Sequence, residues 1–195
     1  GKAPYRSVLM HGFALDAEGR KMSKSLGNVV TPEEVIRTQG ADVLRLYVLS
    51  QNAPWDDLRF NWEGVRNTAR AINILWNVYR FPLPYMILDR FEPSSRGGMW
   101  EGTYVRENFS SLEPVDRWIV SRVNNLAAQV TGDISSCNLH RASRALVQFV
   151  LEDLSRWYVQ LVRERMWLEG ESPEKTAAYE TMYYVMRVLL ALAAP

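Results

Sequence analysis

Residues 21–28 read Lys21-Met22-Ser23-Lys24-Ser25-Leu26-Gly27-Asn28, a run in which ammonium groups and hydroxyls crowd together before a glycine. Such a stretch suits closure over a polyphosphate. When pyrophosphate is displaced, negative charge grows on the leaving group, and ammonium groups set against it lower the barrier. Lysine fits a mobile loop because it carries a compact charge on a flexible stem. Hydroxyls and exposed backbone N–H groups add hydrogen bonds to phosphate oxygens. Gly19 and Gly27 bracket the segment, as a loop that opens and closes requires. Taken alone, however, these residues favour a solvated basic turn, because a lysine-rich turn is a weak motif.

Outward from this stretch the pattern is mainly helical. Upstream, Tyr5 to Ala14 reads as a short strand, followed by a turn over Asp16–Arg20. Downstream, Thr31 can cap a helix with Pro32 in its first position and Glu34 completing a capping box. That helix should run to Gln39 and stop at Gly40. A second helix follows at about Asp42–Leu49, with Val43, Leu46 and Tyr47 on one face, and then a polar break over Ser50–Pro54. From Asn61, Val65, Ala69, Ile72, Trp76 and Tyr79 recur at helical spacing until Pro82 and Pro84. Leu83–Leu112, which holds Ser94-Ser95-Arg96-Gly97-Gly98, reads as an extended connection with some short helix.

Further helices are predicted over Glu113 to about Val130, Asn138 to about Leu168, and Pro173–Ala194, the last with Ser172 as cap. The apolar face of the second of these contains Leu139, Ala142, Leu146, Phe149, Val150, Leu154, Trp157 and Leu161. The predicted fold is therefore mainly α: a short α/β end-piece over residues 1–60, then a helical bundle over 61–195.

Composition sets limits. The chain has 195 residues, 47% apolar and 23% charged, with a net charge of +1. That is ordinary globular composition, and any nucleic-acid binding must use local patches. The single Cys137 excludes an internal disulfide and a cysteine-based zinc site within the chain. No metal-ligand spacing and no membrane-spanning run is visible. A reducing, cytoplasmic setting is expected. The absence of an initial methionine and the helical pattern still running at Leu192–Pro195 suggest a piece of a longer protein.

Beyond residue chemistry, Lys21–Ser25 matches letter for letter the second signature of class I aminoacyl-tRNA synthetases. The surrounding HGFALDAEGRKMSKSLGNVVTPEEVI (11–36) and GADVLRLYVLS (40–50) resemble the isoleucyl, valyl and leucyl enzymes. NAPWDDLRFNWEGV (52–65) and INILWNVYRF (72–81) are most similar to isoleucyl enzymes of archaeal type. DLSRWYVQLVRERMW (153–167) resembles a helix of the anticodon-binding domain shared by all three. The resemblance is weakest over Pro93–Ser111.

It implies a Rossmann and stem-contact end-piece followed by an anticodon-binding bundle. Lys21 and Lys24 would be catalytic and contact the ATP phosphates, with Ser23 and Ser25 supporting them. ATP with magnesium would be substrate, and no metal site is implied within this chain. Partners would be isoleucine, bound outside this segment, and tRNA(Ile). The parent would be monomeric, with no membrane association. The family's first signature, of HIGH type, is not present; His11-Gly12-Phe13 is not it. The chain alone is therefore expected to be inactive. Alternatives are a valyl or leucyl counterpart, a non-catalytic tRNA-binding module, or a small-molecule nucleotidyltransferase.

On the long helix, Arg141, Arg144, Gln148, Glu152, Arg156, Gln160 and Arg163 form a polar stripe. A solvated face with helix-supporting pairs such as Glu152–Arg156 competes with tRNA contact there. Arg141, Arg144, Arg156, Arg163 and Trp167 are the candidate tRNA contacts. Trp62, Trp76, Trp118 and Trp157 fall at core spacing, and stacking on bases by Trp157 or Tyr158 is the lesser alternative. Trp55 reads as a packing residue, His140 as a surface or cap residue, His11 as a strand residue near the nucleotide, and Cys137 as a buried small apolar residue.

Overall fold

The chain is mainly helical, with a small two-stranded parallel sheet, in the computed structural model, which describes residues 3–5, 7–94 and 102–194. It divides into two units. One comprises Gly1–Ile72 with Thr131–Arg144, the other Asn73–Val130 with Ala145–Pro195.

In the first unit, β1 (Ala14–Leu15) pairs in parallel with β2 (Leu58–Arg59), Ala14 lying opposite Leu58. The expected strand over Tyr5–Ala14 is thus reduced to its last residue and Leu15. The pairing is confined to the few positions where the 54–60 segment offers partners: Gly12 N–H donates to the Pro54 carbonyl, Leu58 to Phe13, and Phe60 to Leu15. Val8, Leu9 and Met10 stay exposed. Gly12 is dictated by this approach, since a Cβ there would lie 2.3 Å from the Asp56 carbonyl oxygen.

α1 (Pro32–Gln39) starts as expected, with Thr31 Oγ1 accepting from Glu34 N–H at 3.2 Å and Pro32 in the first turn. Gly40 ends it, and α2 (Ala41–Gln51) follows at once. Their inner faces meet β2 and the start of α3 (Trp62–Arg80) in a core of Val35, Val43, Tyr47, Phe60 and Val65. Tyr47 is fully buried, and its hydroxyl accepts from Asn61 N–H at 2.9 Å, so its polar end is satisfied. Met22, Val30, Leu44, Trp62, Ala69 and Ile72 pack around this core. Each large apolar side chain buried in it contributes roughly 1.5–3 kcal/mol.

Further along α3 the phase differs from expectation. Thr68, Ala71 and Val78 are buried, whereas Trp76 is exposed and stacks on Tyr79 with ring centroids 5.7 Å apart. After Arg80 the two prolines do more than stop the helix. Pro82 caps α4 (Leu83–Leu88), and Pro84 lies in its first turn. α5 (Thr103–Glu107) follows, so the described residues of the expected connection over 83–112 include two short helices. Ser95–Gly98 lie outside the described residues.

α6 (Pro114–Ser135) runs a turn beyond the expected Val130. It ends with Asn138 N–H donating to the Asp133 carbonyl and Cys137 N–H to Ile134, with Cys137 left-handed at φ 59°. That is a Schellman ending, normally a glycine position. Cys137 is exposed rather than buried, at the left-handed corner that ends α6.

The predicted long helix is α7 (Leu139–Gln148), a π-helical stretch (Phe149–Tyr158) and α8 (Val159–Trp167) in succession. The wider i→i+5 turn slips the buried face by one residue. After Leu154 the core positions are Tyr158, Val159, Val162 and Met166, while Trp157 and Leu161, placed in the core by a regular period, are exposed. Tyr158 is fully buried and cannot stack on a base.

In the second unit α9 (Pro173–Ala193), capped by Ser172 accepting from Lys175 N–H, is buried on most sides, including Met182, Val185, Met186 and Leu189. Two polar clusters there are paired: Tyr158 and Arg165 converge on Asp116, and Lys175 and Tyr179 on Asp89.

Candidate functional site

The Lys-Ser loop is built on the core of the first unit. Met22 packs against that core and so points the alternate side chains outward. Lys21 forms an isolated antiparallel bridge with Leu15, and its Nζ lies 4.9 Å from the centre of the Phe13 ring. Ser23 caps a single 3-10 turn (Lys24–Leu26), its hydroxyl accepting from Leu26 N–H and lying 3.1 Å from that of Ser25. Gly27 closes the turn at φ 65°, a left-handed position that costs glycine little. Lys24 is exposed at the tip and makes no ion pair among the described residues.

Two residues missed as site residues from the sequence organise the base of the loop. Asp16 Oδ1 accepts from Arg20 N–H at 2.7 Å, and Oδ2 accepts from Arg20 Nε at 2.9 Å and from Asn28 Nδ2 at 2.8 Å. Asn28 Oδ1 in turn accepts from Ser23 N–H at 2.9 Å, and Nδ2 also reaches the Lys21 carbonyl at 3.3 Å. The Asn28 carboxamide first, then the Arg20 amide and guanidinium, hold the Asp16 carboxyl down to about 2 against the effect of desolvation. The available sequence signal was that Asp16 and Asn28, both turn formers, flank the lysine-serine run with a glycine beside each loop end. Their pairing across the loop is tertiary.

The candidate tRNA residues fall in both units. In the first, Arg141 Nε lies 3.4 Å from Asp133 Oδ1. Arg144 donates through Nε to the Ser50 carbonyl at 2.6 Å and through Nη2 to Gln51, so it caps the last turn of α2. Trp55 is about half exposed and meets the His140 ring edge-on, with ring centroids 6.2 Å apart. His11 Nδ1 lies 2.8 Å from the Gly12 carbonyl oxygen.

In the second unit Arg156 is exposed and holds Glu152 at 2.7 Å, the helix-supporting pair. Arg163 lies over the rings of Phe81 at 5.7 Å and Trp167 at 5.4 Å. Trp167 ends α8 half-exposed. Among the described residues no His, Cys, Asp and Glu groups are placed to hold a metal ion, and no helix is long and apolar enough to cross a membrane.

Two family models match separate parts of the chain. Residues 1–61 match the family described as tRNA synthetases class I (I, L, M and V), and residues 116–195 match the anticodon-binding domain of tRNA ligase. Over its full length the chain is 68% identical to the isoleucine–tRNA ligase of Methanoregula boonei and 67% to that of Methanoculleus marisnigri. The corresponding ligase of Methanothermobacter thermautotrophicus is 52% identical. The chain spans 18% of the length of each of these proteins.

Among solved structures, the fold is similar to the LeuRS–tRNA–LeuAMS ternary complex of Agrobacterium radiobacter K84, with a TM-score of 0.64, 22% identity, and coverage of 95% of this chain and 20% of that one. It is also similar to Mycobacterium tuberculosis methionyl-tRNA synthetase bound by methionyl-adenylate, with a TM-score of 0.68, 20% identity, and coverage of 92% of this chain and 34% of that one.

Proposed function

We infer, for a chain that belongs to the class I tRNA synthetases, that it supplies the phosphate-closing loop and part of the tRNA-binding bundle of an isoleucine–tRNA ligase. The observation that carries this is the Lys-Ser loop itself: Met22 is anchored in the core while Lys24 stands exposed at the tip. In the proposed reaction the isoleucine carboxylate attacks the α-phosphorus of ATP, an O–P bond forms, and the bond to pyrophosphate breaks. Lys21 and Lys24 stabilise the charge arriving on the leaving group, and Ser23, Ser25 and the loop amides bind phosphate oxygens. ATP enters with its magnesium as substrate. A ribose hydroxyl of the 3′-terminal adenosine of tRNA(Ile) then attacks the acyl carbon, an ester forms, and the bond to AMP breaks so that AMP leaves.

Residues 1–60 are assigned to the catalytic and stem-contact region and 61–195 to anticodon binding. Arg141, Arg144, Arg156, Arg163 and Trp167 are the proposed tRNA contacts. Trp167 and Arg156 are supported best, because both present exposed chemistry suited to bases and phosphates. Arg144 contributes chiefly by holding α2. The isoleucine pocket is assigned to parts of the relatives that this chain does not span. A monomeric, cytoplasmic parent is proposed, the single cysteine being consistent with a reducing compartment.

Isoleucine-dependent ATP–pyrophosphate exchange tests this. The full-length protein should exchange with isoleucine in preference to valine or leucine, and the isolated 195-residue chain should not exchange at all. Exchange by the isolated chain, or a preference for valine or leucine in the full protein, contradicts the assignment.

A further inference from the structure

The loop that carries Lys21 and Lys24 is tied at its base by one carboxamide. Asn28 uses both ends of that group. Its oxygen accepts from Ser23 N–H at 2.9 Å, and its nitrogen donates to Asp16 Oδ2 at 2.8 Å and to the Lys21 carbonyl at 3.3 Å. The two backbone groups it holds flank Met22, whose side chain is packed on the core. Asp16 is itself fixed by Arg20 N–H and Nε and by the turn in which Asp16 N–H donates to the Arg20 carbonyl at 2.9 Å. Beyond this base, the tip from Lys24 to Gly27 is held by short-range contacts alone among the described residues: Leu26 and Gly27 N–H on Ser23 and Lys24, and the Ser23–Ser25 hydroxyl pair.

We propose that Asn28, held by Asp16, is a positioning residue for the adenylate-forming step. It fixes the backbone from which Lys21 and Lys24 project, so that the tip swings on a defined base rather than as a free loop. The inference rests on the phosphate-closing role of the loop given above.

The residue types are specific to this arrangement. Asn28 must accept at one end and donate at the other, which an aspartate cannot do. Asp16 must accept from several donors at once, which an asparagine cannot do without turning a donor toward Arg20. Replacing Asn28 by Asp would remove both donated bonds and set two carboxylates against each other. Neither Asp16 nor Asn28 needs to touch ATP. Displacement of catalytic groups by about 1 Å can cost on the order of 100-fold in rate.

The test uses the full-length protein with the variants Asn28→Ala, Asn28→Asp, Asp16→Asn, the double variant Asp16→Asn/Asn28→Asp, and Lys24→Ala. Single-turnover adenylate formation, transfer from preformed isoleucyl-adenylate to tRNA, the KM for isoleucine and the melting temperature are measured for each. Asn28→Ala is expected to slow adenylate formation about 10- to 100-fold. Transfer from preformed adenylate, the KM for isoleucine and the melting temperature should stay near wild type, a split that a general folding defect would not produce. Asn28→Asp should be at least as slow, and the double variant should recover part of that loss by restoring a donor–acceptor pair across the loop. If Lys24→Ala is slow but Asn28→Ala keeps the wild-type rate, or if all steps fall together with the melting temperature, the positioning role is overturned. If Lys24→Ala has no effect, the phosphate-closing role itself fails, and this proposal with it.

Discussion

The Asp116 carboxylate, fully buried at the start of α6, receives both ends of the Arg165 guanidinium, at 2.6 and 2.8 Å, and the Tyr158 hydroxyl at 2.8 Å. Burial, then the neighbouring carboxylate, push the Tyr158 hydroxyl well above its usual range, so it acts as a donor at all working pH values. Asp116→Ala leaves a largely buried guanidinium and a buried hydroxyl without their acceptor. It should cost about 3–5 kcal/mol in unfolding free energy. Tyr158→Phe removes one hydrogen bond and should cost only about 1–2 kcal/mol. Urea unfolding, read by the shift in midpoint at constant slope, compares the two.

Cys137 holds a left-handed backbone at the Schellman ending of α6. A side chain with a Cβ is strained there by roughly 1–2 kcal/mol, and glycine gives back part of that gain through its freer unfolded chain. Cys137→Gly should therefore stabilise the protein by about 1 kcal/mol. Thermal unfolding is the check, and a lower melting temperature would contradict the assignment of this corner.

Asp16 titrates at about 2, below its ordinary 3.8, with the Asn28 carboxamide as the largest cause. Because the folded value lies below the unfolded one, the loop-base bonds contribute fully above about pH 4 and fade as pH falls toward 2. Carbon-13 NMR of the Asp16 carboxyl should show this depressed midpoint. Asn28→Ala should move the midpoint upward toward the ordinary value.

If Trp167 stacks on a base, Trp167→Ala in the full-length protein should weaken tRNA binding by about 1–3 kcal/mol, with the salt dependence unchanged. If Arg156 meets a phosphate, Arg156→Ala should instead reduce the slope of log affinity against log salt by about one. Binding isotherms at several salt concentrations separate these outcomes.

Local chemistry made much of this molecule legible in its sequence. Thr31 with Pro32, Gly40, and Ser172 with Pro173 mark helix boundaries through capping that needs only neighbours. The lysine-serine run and its flanks carried the family resemblance. What was illegible depended on groups brought together by folding. The π-helical stretch moved Trp157 outward and Tyr158 inward, because a regular period cannot anticipate a wider turn. Cys137 gave no sign of a glycine-type corner. Arg144 read as a surface cation, yet its acceptors on α2 lie 94 and 93 residues away in the chain. Asp16 was visible only as part of a turn and Asn28 only as the residue after Gly27, though their hydrogen bond shapes the base of the candidate site.

The central assignment is that the Lys24 ammonium meets the departing pyrophosphate. The most direct measurement is the single-turnover rate of isoleucyl-adenylate formation by the full-length protein carrying Lys24→Ala, at saturating ATP and isoleucine. A fall of about 100- to 1,000-fold, with the KM for isoleucine unchanged, is expected for loss of one stabilising group in the transition state. A rate equal to wild type would contradict it.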